Sequence, residues 1–191
     1  MDTNLREVLL EVLKAWAAQV IGRIGSDGVF VFGSLVYRGG EQFNAASSDV
    51  DLVLLFPSAE MKNGDAATRV EWLEKSRNEK AALEAKLIAT LPRADREVSM
   101  VSVVSPTALE IAADVHKDGA DGFFSRNQFL DLRDGQVRMG LRNAGQRRLT
   151  ERLLTQCVRF AQKKRNEFVN VTATGGGPSH HLTDQTPRQR I

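Results

Sequence analysis

Two aspartates one residue apart are the first side chains in this sequence whose types and spacing suggest chemistry. Asp49 and Asp51 precede a short apolar run, residues 52–56, that is typical of a buried strand. Side chains at i and i+2 of a strand point to the same side, with stems roughly 6 to 7 Å apart. Facing carboxylates repel unless a cation lies between them, and Mg²⁺ prefers one or two carboxylates plus substrate phosphates. The spacing predicts a magnesium site at Asp49 and Asp51.

A glycine and a serine follow an earlier apolar run, residues 29–32, and suggest a phosphate-binding turn. Gly33 at the exit of a strand lets a phosphate approach the backbone closely. If a helix begins at Ser34, its free N–H groups and positive dipole end face an anion, and the hydroxyl adds a donor. Taken singly, a strand followed by Gly-Ser is common, and an Asp-x-Asp at a strand start is often a solvated edge. The combination of the two motifs is more specific.

The order strand, Gly-Ser, loop, Asp-apolar-Asp, strand resembles the nucleotidyltransferase superfamily, which has the DNA polymerase beta-like fold. The matching residues are Phe32-Gly33-Ser34 and Asp49-Val50-Asp51-Leu52, within a resemblance that spans residues 5–117. It implies an α/β fold with a short mixed β-sheet flanked by helices. It also implies that Gly33 and Ser34 bind a nucleoside triphosphate, and that Asp49 and Asp51 are catalytic and bind Mg²⁺.

Members of this superfamily usually carry a third acid on a neighbouring strand, which completes the metal site and accepts the proton of the attacking hydroxyl. Glu97 is the candidate for this catalytic and metal-binding role, with a solvated residue at the strand end as the alternative. If Ser99 is instead the matching position, the third acid is missing. Asp95, in the turn before the strand, is a weaker candidate.

The remaining sequence predicts the elements that position these residues. Residues 119–140 show no clear pattern, because glycines and charges interrupt the apolar residues. The predicted helices are 5–24, 68–91, one beginning at Ser105-Pro106 and a long one from 146, and the predicted strands are 29–32, 52–56 and 97–104. The predicted domains are a nucleotidyltransferase-fold domain at 1–120, a helical C-terminal extension at 121–170 and a disordered tail at 171–191.

Composition favours an ordinary globular protein in the cytoplasm. Of 191 residues, 42% are hydrophobic, and no apolar run is long enough to span a membrane. Cys157 is the only cysteine, so a disulfide framework is excluded, and its helical position predicts a small core residue. His116, His180 and His181 lack metal-ligand spacing, and His116 is predicted to end its helix.

The last predicted helix combines an apolar stripe with many cations. Its stripe, at Leu149, Leu153, Cys157 and Phe160, is predicted to face protein, within the chain or in another subunit. The cations are Arg147, Arg148, Arg152, Arg159, Lys163, Lys164 and Arg165. They are interpreted as a solvated face, with a weak salt-sensitive contact to RNA or to the bound triphosphate as the alternative.

Two functions follow from the resemblance. The first is an enzyme that moves a nucleoside monophosphate from a nucleoside triphosphate to an acceptor hydroxyl and releases pyrophosphate. The residues beyond the fold are too few for the large domains of polymerising relatives, which favours a small molecule or a protein as acceptor. A toxin–antitoxin or antiphage setting fits this analogy. The second is a module that has lost the chemistry, binds nucleotide or RNA, and regulates a partner.

Overall fold

The computed structural model describes residues 3–58, 65–91, 99–116, 122–142 and 152–170. Two short 3-10 turns, Gly33–Leu35 and Tyr37–Gly40, follow the first strand. The helices are α1 (Thr3–Ile24), α2 (Ala66–Thr90), α3 (Ala108–Ala113), α4 (Phe123–Arg126) and α5 (Arg152–Val169). The strands are β1 (Val29–Phe32), β2 (Val50–Leu54), β3 (Val101–Val104), β4 (Gln128–Asp131) and β5 (Val137–Met139).

The strands form one five-stranded mixed sheet in the order β3-β2-β1-β4-β5. Strands β2 and β3 are parallel, and the other neighbours are antiparallel. Asp51 of β2 lies opposite Phe32 on β1 and beside Ser102 on β3. This mixed sheet flanked by helices confirms the predicted fold class.

Helices cover both faces of the sheet, which explains why β1 is apolar at every position and β2 at every position except Asp51. One face packs against α1 and α2, where Leu13 and Leu87 are fully buried. The other packs against α3 and α4 through a smaller cluster that includes Phe123 and Phe124. Asp51 lies on this second face, because it alternates with Val50 and Leu52, which belong to the first core.

Strands β4 and β5 were missed by the sequence analysis, which assigned residues 121–170 to a helical extension. Strand β4 pairs with β1 and so belongs to the sheet. No clear strand pattern is visible in the sequence here because β4 ends in an aspartate. Asp131 is nevertheless 1% exposed, since Arg133 and Arg138 donate hydrogen bonds to its carboxylate. Burial raises the pKa of Asp131, but the hydrogen bonds and charge of Arg133 outweigh it and hold that pKa below its usual value. The domain boundary at residue 120 stays a prediction, and the tail at 171–191 lies outside the described residues.

The open edge of β3 is covered by polar side chains in place of another strand. Asn170 at the end of α5 accepts from the Val103 N–H at 2.7 Å and donates to the Val103 carbonyl at 2.7 Å. Asn166 accepts from the Ser105 N–H at 2.8 Å, and the Arg165 guanidinium donates to the Ser105 carbonyl. These hydrogen bonds pair backbone N–H and carbonyl groups at the β3 edge, which would otherwise be available to a strand of another chain.

The need to satisfy this edge also sets which side of α5 faces the protein. Among the side chains of α5 that the structure describes, residues 155–169, the buried ones are Gln162, Asn166 and Val169. Cys157 is exposed, so the prediction that it is a small core residue is wrong. Phe160 is 64% exposed and does not pack into the core of this chain, and its predicted contact with another subunit stays a prediction. Leu149 lies outside the described residues, as does the side chain of Leu153.

We expect Asn170→Ala to lower the free energy of unfolding by about 1–3 kcal/mol, because a buried N–H and carbonyl on β3 lose their partner. Urea unfolding followed by circular dichroism measures the change. Asn78→Ala, the same substitution at an exposed position of α2, is the control and should change stability by less than about 0.5 kcal/mol. Equal stability of the two variants would show that α5 does not protect the strand edge.

Candidate active site

The two predicted carboxylates lie at the start of β2, as the sequence analysis expected. Asp51 is half-buried in the strand, and Asp49 is exposed immediately before it. The backbone between them is fixed by the Val50 N–H, which donates to the Met100 carbonyl at 2.8 Å. Both carboxylates take part in interactions with neighbouring residues.

The Gly-Ser turn meets the second aspartate directly. Gly33 has a φ of +74°, and a Cβ at this position would overlap the Oδ2 atom of Asp51. The turn is a 3-10 turn of three residues, closed by the Val36 N–H on the Gly33 carbonyl at 3.0 Å. A longer helix beginning at Ser34 is therefore not formed, since the chain kinks at Arg38 and Gly39. What the structure adds is close contact between the two motifs.

We expect Gly33→Ala to lower any metal-dependent turnover by about tenfold or more, because the new methyl group displaces the Asp51 carboxylate from its position. The positive φ adds backbone strain, so stability should also fall by about 1 kcal/mol. Steady-state pyrophosphate release and thermal unfolding measure the two effects. Gly135→Ala is the control, because this glycine also has a positive φ, of +72°, but has open space at the Cβ position. If both variants lose activity equally, the contact between Gly33 and Asp51 is not important.

Arg6 of α1 holds the end of this turn, a role that the sequence did not reveal. Its guanidinium donates to the Leu35 carbonyl at 2.9 and 3.2 Å. It fills the space beside Gly40, where any side chain would overlap it. The first helix therefore fixes the far end of the turn that begins at Gly33.

Tyr37 is a second residue that sequence reasoning missed. Burial is the main cause that raises the pKa of its hydroxyl, and the negative charge of Asp51 raises it further. A backbone hydrogen bond from Gly33 acts in the opposite direction. Tyr37 therefore lies close to both the turn and the Asp51 carboxylate. Its position in a polar loop gave no periodic signal.

A cavity of about 310 Å³ opens beside Asp49. The start of β3 and one side of α5 form its walls. Its lining residues are Asp49, Ser99, Val101, Ser102, Lys163, Asn166, Glu167 and Asn170. The carboxylates therefore lie between the Gly-Ser turn on the β1 side and this cavity on the β3 side.

The assignment of Glu97 as the third acid stays a prediction, since Glu97 and Asp95 lie outside the described residues. On β3 the residue beside Asp51 is Ser102, which is not an acid. Within the described ranges, no group of three histidine, cysteine, aspartate or glutamate side chains is placed to bind a metal. Asp49 and Asp51 nevertheless offer carboxylate oxygens beside the turn. They suit Mg²⁺, which takes one or two protein carboxylates and completes its shell with phosphates and water.

A buried ion pair supports the start of β3. The Lys80 ammonium, 1% exposed, donates to Glu84 at 2.7 Å and to the Ser99 hydroxyl at 2.9 Å. Glu84 also accepts from the backbone N–H of Met100 at 2.7 Å. Ser99 donates to Glu84 as well, so its hydroxyl belongs to this support. Burial raises the pKa of Glu84, but hydrogen bonds from Lys80 and Ser99 and the Lys80 charge more than offset it, and the pKa falls below its usual value.

The basic helix is partly neutralised. Arg165 pairs with the buried Glu110, and Glu167 pairs with Lys164 at 2.9 Å. Arg147 and Arg148 lie outside the described residues, as does the side chain of Arg152. The proposed contact with RNA or triphosphate therefore stays a prediction.

His116 follows α3 and does not end it, because the helix stops at Ala113. Its ring is buried and stacks on Phe123, with the ring centroids 4.0 Å apart.

Comparison with known proteins places the chain in a family. The model of the family described as "Pol beta superfamily nucleotidyltransferase in conflict systems" matches residues 12–190. No curated protein and no solved structure matches the chain. None of the described helices is long and apolar enough to cross a membrane. With the Gly-Ser turn held against the Asp-x-Asp strand, and a family model that matches nearly the whole sequence, the chain belongs to the Pol beta superfamily nucleotidyltransferases of conflict systems.

Proposed function

We propose that this protein transfers a nucleoside monophosphate from a nucleoside triphosphate to an acceptor hydroxyl and acts in a conflict system such as a toxin–antitoxin or antiphage pair. The observation that carries the proposal is the contact between the Gly33 turn and the Asp51 carboxylate. A phosphate bound at the turn lies beside the carboxylates, which is the arrangement that a phosphoryl displacement needs.

In the proposed reaction, the acceptor oxygen forms a bond to the α-phosphorus of the triphosphate. The bond from this phosphorus to the oxygen that bridges to the β-phosphate breaks, and its electron pair leaves with pyrophosphate. The hydroxyl proton passes to a carboxylate, for which Glu97 is the proposed base. Gly33 and Ser34 hold the phosphates, and Asp49 and Asp51 would hold Mg²⁺. When bound, the ion neutralises the developing charge on the phosphate oxygens.

We expect Glu97→Gln to lower pyrophosphate release by about 100-fold if Glu97 accepts the proton, since the amide cannot act as a base. Single-turnover rates at several pH values measure the change, because loss of a base also removes one limb of the pH profile. Full activity in this variant would leave a site of two carboxylates.

A second candidate function is a nucleotide- or RNA-binding module without turnover. It is favoured by the observation that no third acid accompanies Asp49 and Asp51 among the described residues. Such a module would regulate a partner protein through its nucleotide-bound state.

One experiment separates the two functions. The protein is incubated with each common ribonucleoside triphosphate and Mg²⁺, and both binding and pyrophosphate release are measured. The proposed enzyme releases pyrophosphate, and Asp49→Asn abolishes the release. Asp134→Asn, the same change in the exposed turn between β4 and β5, is the control and retains it. Saturable nucleotide binding without pyrophosphate identifies the module, and absence of binding contradicts both functions.

A further inference from the structure

The outer edge of β3 is paired at alternate residues with side chains instead of a strand. The backbone N–H groups and their acceptors are Ser105 with Asn166, Val103 with Asn170, and Val101 with Glu84. The first two acceptors are neutral amides at α5, whereas Glu84 is a charged carboxylate of α2. Glu84 also accepts from the Met100 N–H at 2.7 Å, so it holds the end of β3 that begins beside Val50.

One peptide group connects Glu84 to the two aspartates. The peptide group between Met100 and Val101 directs its N–H at the Glu84 carboxylate, at 3.3 Å. The carbonyl of the same group accepts from the Val50 N–H at 2.8 Å. Val50 is the residue between the two aspartates, and this bond lies at the start of the pairing between β2 and β3. The ends of hydrogen-bonded elements open more readily than their interiors, so a carboxylate that holds this peptide group keeps the bond closed.

The buried charge of Glu84 suits this role better than it suits stability alone. A buried ion pair generally stabilises a protein no more than apolar side chains of similar volume, because both charges lose their hydration. A charged acceptor, however, forms shorter and stronger hydrogen bonds than a neutral one. The two oxygens of Glu84 divide the work: Oε2 accepts from the Lys80 ammonium at 2.7 Å, and Oε1 accepts from the β3 backbone. Lys80 thus holds the carboxylate from one side while the other side holds the strand.

We infer that Glu84 is a positioning residue for Asp49 and Asp51. It fixes the peptide group after Met100, this group fixes Val50, and Val50 fixes the distance and direction between the two carboxylates. A small displacement matters, because groups that orient the ligands of a metal ion affect its affinity nearly as much as the ligands do. The inference rests on the proposed function for its effect on turnover. Its effects on the backbone and on Mg²⁺ binding can be measured without turnover.

Two double variants of the full chain differ only in the group that accepts from the backbone. Both contain Lys80→Met, so neither leaves a buried ammonium unpaired. The oxygen-retaining variant combines it with Glu84→Gln, and the oxygen-free variant combines it with Glu84→Met. Lys75→Met with Glu71→Met is the control, because this pair has the same spacing on the same helix and is exposed.

Amide hydrogen exchange, followed by nuclear magnetic resonance without metal, is the first measurement. We expect the Val50 amide of the oxygen-free variant to exchange about tenfold or more faster than that of the oxygen-retaining variant. The reference is the Leu55 amide just beyond the other end of β2, which donates to the Gly28 carbonyl and should exchange equally in both. The second measurement is calorimetric titration with Mg²⁺, in which the oxygen-free variant should bind about 10- to 100-fold more weakly. The control should match wild type in both measurements.

A merely structural role for Glu84 gives different results. Equal Val50 exchange in the two double variants overturns the inference. Faster exchange at Val50 and Leu55 alike also overturns it, because that result is a general loss of stability. Faster exchange at Val50 with unchanged Mg²⁺ affinity confines Glu84 to support of the strand and likewise contradicts the positioning role. If the oxygen-free variant does not fold, Glu84→Asp replaces it, because the shorter side chain keeps the charge for Lys80 and withdraws from the β3 backbone.

Pyrophosphate release by the wild-type protein separates this inference from the proposed function. Release by wild type, together with equal Val50 exchange and equal Mg²⁺ affinity in the two double variants, leaves nucleotidyl transfer intact and overturns the positioning role. The expected differences in exchange and affinity, in a protein that never releases pyrophosphate, support the positioning role and contradict the enzyme.

Discussion

Asp51→Asn should reduce pyrophosphate release by more than about 10³-fold while the fold remains intact. The side chain keeps its shape against Gly33 but loses the negative charge that would hold a divalent ion beside the phosphate. Without metal, the melting temperature should stay level or rise, because repulsion between two nearby carboxylates is relieved. Pyrophosphate release and thermal unfolding, with and without Mg²⁺, measure both effects.

The metal dependence of stability gives this prediction a second readout. Wild type should melt at a higher temperature as Mg²⁺ is added, since an ion that binds only the folded state stabilises it. Asp51→Asn should lose most of this shift, whereas Asp134→Asn should keep it. A large drop in melting temperature with activity retained would mean that Asp51 is structural.

Glu84→Ala should destabilise the protein by about 3–5 kcal/mol, because it leaves the buried Lys80 ammonium without its charged partner. The helix contains its own control. Glu71 and Lys75 are also four residues apart and also 2.7 Å from each other, but their side chains are 60% and 51% exposed. Glu71→Ala should therefore cost less than about 1 kcal/mol. Urea unfolding at neutral pH compares the two, and equal costs would show that burial does not determine the strength of the Lys80–Glu84 pair.

The same carboxylate predicts how stability depends on pH. The pKa of Glu84 is lowered in the folded protein, so the unfolded chain binds more protons near the ordinary value of 4.5. Its contribution to stability is complete above that pH and decreases as pH falls through the lowered folded pKa. Glu84→Gln should show a weaker loss of stability in this acidic range than wild type.

The parts of the site that depend on neighbouring residues could be predicted from the sequence, and the parts that depend on distant contacts could not. The sequence predicted Gly33-Ser34 and Asp49-Val50-Asp51 because turn preferences and strand alternation are patterns that extend over only a few residues. Strand β4 was not predicted because its last residue, Asp131, is an acid, and its burial depends on hydrogen bonds from arginines such as Arg133. The orientation of α5 was misread for a similar reason: hydrophobic periodicity detects apolar burial, and this helix buries amides.

Arg6 and Tyr37 show a second limit. Arg6 contacts Leu35 from α1, and the loop brings the Tyr37 hydroxyl close to Gly33 and Asp51. Neither position differs in sequence from an ordinary surface residue. Only the packing of α1 against the turn gives Arg6 its role.

The pairing of β1 with β4 has a consequence for the time at which the site matures during synthesis. Phe30 of β1 pairs with Asp131, so one side of the strand that leads into Gly33 stays open until β4 has left the ribosome. At ordinary translation rates this delay lasts roughly 5 to 20 seconds. Helix α5, which closes the cavity, emerges later still. The site at Asp51 and Gly33 should therefore reach its final geometry only after β4 and α5 have been synthesised.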